Sequence, residues 1–364
     1  MLSMSDQRDR TRIVDAALER IAAGAGERDG AAEPAFPASV FAELREVGLL
    51  SWNAVAGVRR PPAELELDLV RRVAAADASV GRIYDGHLNA VERLAVQAPE
   101  ALRERELAEV AAGRLLTGVW GGDPTAGEGP PARIIGPADG VVLRGVKTFC
   151  SGAGGIDRAL VLARGEDGQP PVTVWIDVTN AERVEVDRAW YRAAGLRASE
   201  SHRVVFHDAP VLGQFGPPGA IAAQPWFARD ALRTCASWVG MADAAAEGAL
   251  AELAARETTS ELEALAAGRI LTAQRTIELW MGAAADAMNS AERLPEVSLS
   301  ARAAVSDAVR VLLDEAARAC GSRPFAHGGR LDRARRDLEL FLLQHRLDPM
   351  LARAGRAAVD GLRS

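Results

Sequence analysis

Apolar residues recur at spacings of three and four over the first third of the chain. Ile13, Ala17, Leu18 and Ile21 form one such set, Val40, Phe41, Leu44 and Val47 a second, and Leu67, Val70, Val73 and Ala74 a third. This predicts a helical unit over residues 1–113, interrupted at Gly30 to Pro37 and again at Pro61 and Pro62, where proline suits the first turn of a new helix. The helical pattern runs on through Asp77 to Ala90, and Pro99 opens a further helix. Between Leu115 and about Val211 the period drops to two. Short apolar runs at Val141 to Leu143, Ala159 to Ala163, Val172 to Val178 and Val204 to Phe206 are separated by turn residues, with Asp139-Gly140 and Glu166 to Gln169 placed as hairpin turns. A compact β-barrel or sandwich is therefore expected over 114–218. From 219 to 364 the helical period returns in four long stretches, Leu232 to Arg256, Leu262 to Met288, Ala301 to Cys320 and Asp332 to Gly355, which predict an up-and-down bundle. The fold class is thus α+β: helical domain, β-barrel, four-helix bundle.

Composition narrows the function. At 364 residues, 48% hydrophobic and 26% charged, the chain has the balance of a globular protein with several packed units. Its net charge of −7 and the interleaving of arginines with acids leave no basic face for nucleic acid. No run reaches the roughly 18 apolar residues of a membrane span, and the first residues lack an apolar leader core, so a cytoplasmic location is expected. Cys150, Cys235 and Cys320 are too few and too scattered for a disulfide framework or a metal site, and no His, Asp or Glu set has ligand spacing. A dinucleotide G-x-G-x-x-G is missing, and Gly152-Ala-Gly-Gly155 leads into a strand rather than a helix. The hydrolase elbow G-x-S-x-G is missing too.

The chemistry-bearing stretch is Gly145-Val-Lys-Thr-Phe-Cys-Ser-Gly-Ala153, which holds the single lysine of the chain, followed by Gly195-Leu-Arg-Ala-Ser-Glu-Ser201 and Val204 to Val211. Together these segments resemble the middle domain of the acyl-CoA dehydrogenase superfamily. The resemblance implies a flavoprotein using FAD, with FMN as the alternative. Phe149 matches the aromatic wall beside the flavin and Ser151 the hydroxyl that bonds flavin N5. In the segment Leu116 to Pro124, Gly122 stands where the family has a threonine, leaving only backbone groups to serve, and Trp120 is either a second wall or core packing. Ala326-His-Gly-Gly-Arg330 resembles the family's Gly-Gly segment, so Gly328 and Gly329 would approach the cofactor diphosphate of another subunit in a homodimer or homotetramer. The R-x-x-F-G segment that supplies a partner arginine in the family is absent.

A dehydrogenase also needs a carboxylate to take the α-proton. At the place where the family carries its glutamate this chain has Leu343-Gln-His-Arg346, with no acid. Some members place the base on the first helix of the last domain, which points here to Asp230. His345 at the glutamate position instead resembles the oxygen-using branch of the superfamily, in which His87 and Ser151 would join it, histidine exchanging protons near neutral pH. His202, His207 and His327 receive no catalytic role. The expectation is a flavin-dependent oxidoreductase acting on an acyl-CoA-like or small hydrophobic substrate, with an electron-transfer flavoprotein or flavin reductase as partner. The alternatives are a monooxygenase using reduced flavin and O2 through His87 and His345, and a non-catalytic flavin-binding subunit.

Overall fold

The computed structural model describes residues 4–54, 61–136, 140–165, 168–326, 328–344 and 346–363, with side chains from residue 11 onward. Packing divides the chain into two compact units. The first takes residues 1–61, 79–193 and 197–226, and the second takes 62–78, 194–196 and 227–364. The N-terminal helices and the β-region therefore share one unit, while the helix over 63–76 belongs with the C-terminal bundle.

In the first unit, helices α1 (Met4–Gly30), α2 (Ala38–Glu46), α4 (Ala78–Gln97, from Ser79 on) and α5 (Glu100–Ala111) accompany seven strands. These are β1 (Thr117–Trp120), β2 (Arg133–Ile135), β3 (Val142–Cys150), β4 (Arg158–Ala163), β5 (Val172–Asp177), β6 (Val184–Asp187) and β7 (His202–Gln214). Their order is β1-β4-β5-β7-β3-β2, with β6 on β7. Every pair is antiparallel except β1 with β4. Bridges from Arg133 to Arg164 and from Gly122 to Thr148 draw the two ends of this order together, which closes the sheet toward a barrel. The four strands expected from alternation correspond to β3, β4, β5 and β7. Strands β1, β2 and β6 are three or four residues long, too short for a period of two to register.

Trp175 stacks on Phe215 at 5.4 Å, beside Leu160, Leu94, Leu102 and Leu107, so α4 and α5 cover one face of the sheet with buried apolar side chains. Each such side chain contributes on the order of 1.5–3 kcal/mol of burial free energy. Helix α4 is buried on all sides from Ser79 to Leu94 although it carries Arg82, Asp85, His87, Asn89, Glu92 and Arg93. A helix so enclosed has to satisfy its polar groups inside the protein.

The second unit holds α3 (Ala63–Ala76), α6 (Trp226–Ala254, from Phe227 on), α7 (Glu261–Ser290), α8 (Leu294–Cys320), α9 (Arg323–Ala326), α10 (Arg330–Phe341) and α11 (Asp348–Gly361). Pro62 caps α3, as the sequence pattern predicts. Ser260 starts α7 with a capping box, its hydroxyl accepting from Glu263 N–H while Glu263 accepts from the Ser260 N–H. The single helix expected over 332–355 is instead two. α10 ends at Phe341 and α11 begins at Asp348, because Pro349 lacks the N–H that a continuous helix requires and fits only its first turn. Glu66 of α3 is buried and accepts from Arg229 (2.8 Å) and Arg233 of α6.

α3 and α6 cross at Gly240, where a Cβ would lie 1.9 Å from the Arg71 carbonyl oxygen and 2.8 Å from Ala75 N. Both neighbours are backbone and cannot swing aside. Gly240→Ala is expected to destabilise the protein by at least about 1–3 kcal/mol, read as a lowered thermal midpoint.

Candidate functional site

Strand β3 breaks register against β7 between Lys147 and Cys150, and the chain turns there. Phe149 takes a left-handed φ of 53° and Glu200, on the facing segment, one of 47°. Side chains rarely accept this conformation, and such strain clusters at functional positions. The turn is stitched to the segment before β7 by backbone bonds: Gly152 N–H donates to Ser199 O (2.8 Å) and Ala153 N–H to Glu200 O (3.2 Å).

This backbone sends Phe149 outward and Ser151 inward. Phe149 is 56% exposed, large for an aromatic side chain, and is braced edge-on by Trp190 at 5.0 Å. Ser151 is buried, and its hydroxyl lies 2.8 Å from that of Ser201, which in turn lies 2.7 Å from that of Ser199. Trp120 is fully buried, its ring 6.3 Å from Phe206 and its Nε1–H donated to Ser151 O at 3.0 Å. Of the two roles open to Trp120, core packing is the one its surroundings fit. Gly122 pairs with Thr148, whose N–H donates to Gly122 O (3.0 Å). A Cβ at 122 would fall 2.4 Å from Thr148 O. Trp120, Gly122, Phe149 and Ser151 are thus brought together around one end of β1 and β3.

The sole lysine is spent on closure. Lys147 is buried and donates to Gly121 O (3.0 Å) and Asp123 Oδ1 (2.8 Å), with Arg164 on the other Asp123 oxygen at 3.3 Å. Burial draws the ammonium below its ordinary pKa, against the opposing pull of Asp123. Burial would raise the Asp123 carboxyl, but Lys147 and Arg164 outweigh it and hold the group below the usual carboxylate range. Beside the serines, Glu200 is buried, paired with Arg188, and lies 3.3 Å from His202 Nε2. Its pKa ends below the ordinary value although burial alone would raise it.

His87, named from the sequence as a catalytic candidate, sits in the interior of the first unit. It is fully buried, with Nε2 2.8 Å from Leu50 O and Nδ1 accepting from Thr117 N–H at 3.2 Å. Both ring nitrogens are engaged by the protein, so the side chain ties α4 to β1 and to the segment after α2. Thr117 completes the tie with its hydroxyl, 3.0 Å from Nδ1. Asp230, the other candidate base, lies in the second unit, where its Oδ1 accepts from Arg233 at 3.2 Å. Gly328 (φ +63°) and Gly329 form the turn into α10, and no side chain caps that helix. His345 lies outside the described residues, as does His327. His207 is exposed and 2.9 Å from Glu185. All three cysteines are buried and free, and burial pushes the Cys235 thiol up to about 12. Among the described residues no group of three His, Cys, Asp or Glu could hold a metal, and no helix is long and apolar enough to cross a membrane.

Ser199 and Ser201 were assigned no function from the sequence, although both stand in the segment quoted for the resemblance. Their spacing gave no signal, because Ser199 ends a short 3-10 turn over Arg197–Ser199 and Glu200 between them takes a left-handed φ of 47°.

Burial holds the His87 pKa down to about 4. The Leu50 carbonyl opposes the shift and Arg45 adds to it. Unfolded, the ring titrates near about 6.5. Between these values the unfolded chain binds a proton that the folded one refuses, so stability falls as the pH drops through this window. Urea midpoints measured from about pH 7 to about pH 4 should show this decline, and His87→Gln should flatten it while lowering the midpoint at neutral pH.

No protein-family model matches the chain. It is 29% identical over 191 residues to a dibenzothiophene monooxygenase of Mycolicibacterium goodii, covering 49% of this chain and 45% of that one. It is 28% identical over 217 residues to a dibenzothiophene monooxygenase of Rhodococcus qingshengii, covering 56% and 50%. The chain therefore spans half or less of the length of these curated relatives. Solved structures align over nearly the whole chain. FMN-bound TdsC from Paenibacillus sp. A11-2 superposes with a TM-score of 0.83 at 21% identity, covering 96% of this chain and 98% of that one. Methanesulfinate monooxygenase MsuC from Pseudomonas fluorescens gives 0.82 at 19%, covering 99% and 98%. A nitrososynthase from Micromonospora carbonacea var. africana gives 0.79 at 21%, covering 98% and 97%. N-terminal helices, a central sheet closing toward a barrel and a C-terminal bundle, matched along their whole length, make this the acyl-CoA dehydrogenase-like fold.

Proposed function

We propose that this chain is a flavin-dependent monooxygenase that works with FMN supplied in reduced form by a separate flavin reductase, and that oxygenates a small apolar heteroaromatic substrate. The observation that carries the proposal is the turn at 149–151: a braced, solvent-facing aromatic two residues from a buried, hydrogen-bonded hydroxyl. A flat ring would lie against Phe149 and present a polar edge atom to Ser151. Reduced flavin, when bound, supplies the two electrons with which O2 is split between an oxygenated product and water. The chain's own part is to hold the ring, keep water from it and fix the hydrogen at Ser151.

Two supports come from the relatives. The curated ones are named dibenzothiophene monooxygenases, and TdsC has been crystallised with FMN and indole together. FMN accordingly replaces FAD as the proposed cofactor. FMN has no diphosphate, so the role of Gly328 and Gly329 contracts to a contact with its single phosphate, and the homodimer or homotetramer stays a proposal resting on that segment. Oxidation of an acyl-CoA through Asp230 is the weaker choice, since that carboxylate is engaged by Arg233.

The test is direct. Purified protein titrated with FMN should perturb the flavin spectrum, and with a reductase, NADH and air it should convert dibenzothiophene or indole to products heavier by one or two oxygen atoms. Phe149→Ala should weaken FMN about tenfold or more, the scale of a lost stacking contact. Binding without turnover of either compound or of an acyl-CoA would instead support the flavin-binding subunit. If FMN binds in neither oxidation state, the proposal fails.

A further inference from the structure

We propose that Glu128 is a positioning residue of the flavin site, which acts through Trp190 to hold the Phe149 ring in the orientation that receives the cofactor. The inference rests on the flavin reading above. Phe149 is 56% exposed, and a phenyl ring left alone in solvent turns easily about its Cβ–Cγ bond. A second aromatic restrains it here: Trp190 stands at 83° to it, with ring centroids 5.0 Å apart. Trp190 comes from the loop after β6, and an indole so placed needs an anchor of its own. That anchor is Glu128, whose Oε1 accepts the Trp190 Nε1–H at 2.7 Å.

Glu128 can serve because its backbone and its side chain are both fixed. Its N–H donates to Thr125 O (3.1 Å), and its Oε2 accepts from Thr125 N–H (2.7 Å) and from the Thr125 hydroxyl (2.9 Å), so the carboxylate is held by its own turn. Its carbonyl oxygen receives Nε (2.9 Å) and Nη2 (2.8 Å) of Arg203 on β7. The same guanidinium lies 3.5 Å from the carboxylate of Asp187, at the end of β6. Asp187 in turn accepts from Ala189 N–H through its side chain and from Trp190 N–H through its backbone, both at 3.2 Å. Arg203 thereby links the two loops through Glu128 O and Asp187, and the Glu128–Trp190 bond links them a second time beside Phe149. The Thr125 N–H, the Trp190 indole and the Thr125 hydroxyl hold the Glu128 carboxyl below the usual carboxylate range, so it is ionised at neutral pH. Two acceptor oxygens are needed at once, one for the turn and one for the indole, and a carboxylate supplies both where an amide supplies one.

Fixing Phe149 before the cofactor arrives spares binding the cost of ordering that side chain, which is worth about three- to tenfold in affinity. The test is a double-mutant cycle on the full chain, read by titration with FMN and followed through the flavin's own fluorescence, since one variant removes a tryptophan. Trp190→Phe keeps an aromatic ring beside Phe149 and deletes the N–H, whereas Glu128→Ala deletes its acceptor. Each should weaken FMN about three- to tenfold, and the double variant should bind within about twofold of the weaker single one, because the second change removes a bond already lost. Losses that multiply would mean that the two residues act independently, and would overturn the proposal. An unchanged affinity in Trp190→Phe would overturn it as well, and that variant carries the test if Glu128→Ala does not fold. In both of these outcomes the unsubstituted protein still binds FMN and the flavin reading stands. If the unsubstituted protein binds FMN in neither oxidation state, the flavin reading fails and takes the positioning role with it.

Discussion

The stitching of residues 150–153 to residues 199–202 is the constraint on which the site depends. A strand running straight through Phe149 would keep the alternation of inward and outward side chains and stay in register with β7. The left-handed residue breaks both, at a cost of roughly 1–2 kcal/mol for a side chain with a Cβ. Glu200 takes the same conformation across the gap. The two strained residues persist because backbone bonds from Gly152 and Ala153 to Ser199 O and Glu200 O, and the Trp120 indole bond to Ser151 O, hold both segments at once. The consequence is local and chemical: one aromatic is left in solvent and three hydroxyls are left in line.

Buried charge serves the same frame. Lys147 fastens the segment after β1 to β3 through Gly121 and Asp123, while Arg188 and His202 flank the buried Glu200. Removing one member of such a set would strand a charge in a poorly solvated place, which is costlier than the pair is worth. The second unit repeats the device with Glu66 between Arg229 and Arg233, and Arg233 reaches Asp230 as well. Lys147, the most conspicuous charged residue of the sequence motif, is thus engaged by Gly121 O and Asp123.

Much of this was legible beforehand because it rests on local patterns. The change of period near residue 115 and again near 219 marks where strands begin and end, and Pro62 and Pro99 stand at helix starts as their fixed φ requires. The separation of α10 from α11 was missed because apolar residues continue between them, and only Pro349 signals the start of a second helix. The grouping of α3 with the bundle was invisible, since it rests on the approach at Gly240 between segments about 170 positions apart. Phe149 and Ser151 were singled out by the motif, whereas the contact of Ser199 and Ser201 with Ser151 needed the pairing of β3 with β7 to appear. The surroundings of His87 were not legible in the sequence, since two of its partners, Leu50 O and Thr117 N–H, are backbone groups that any residue could supply.

The chemistry then turns on which proton-handling groups are free. Removing hydrogen from carbon next to a thioester demands a strong, positioned acceptor, because the carbon acid is weak and the electron pair must leave in the same event. Among the described residues, the carboxylate proposed for that task is held by Arg233, and the imidazole proposed for oxygen chemistry spends both nitrogens on backbone and Thr117. What the first unit does offer is a hydroxyl of ordinary acidity, able to give or receive a hydrogen bond but not to abstract a proton from carbon. Such a group suits the proposed function, in which the bound cofactor and O2 would carry the electrons. Phe149 and Ser151 belong to the motif shared with the acyl-CoA dehydrogenases, so in the proposed function it is the engagement of Asp230 by Arg233 that weighs against desaturation.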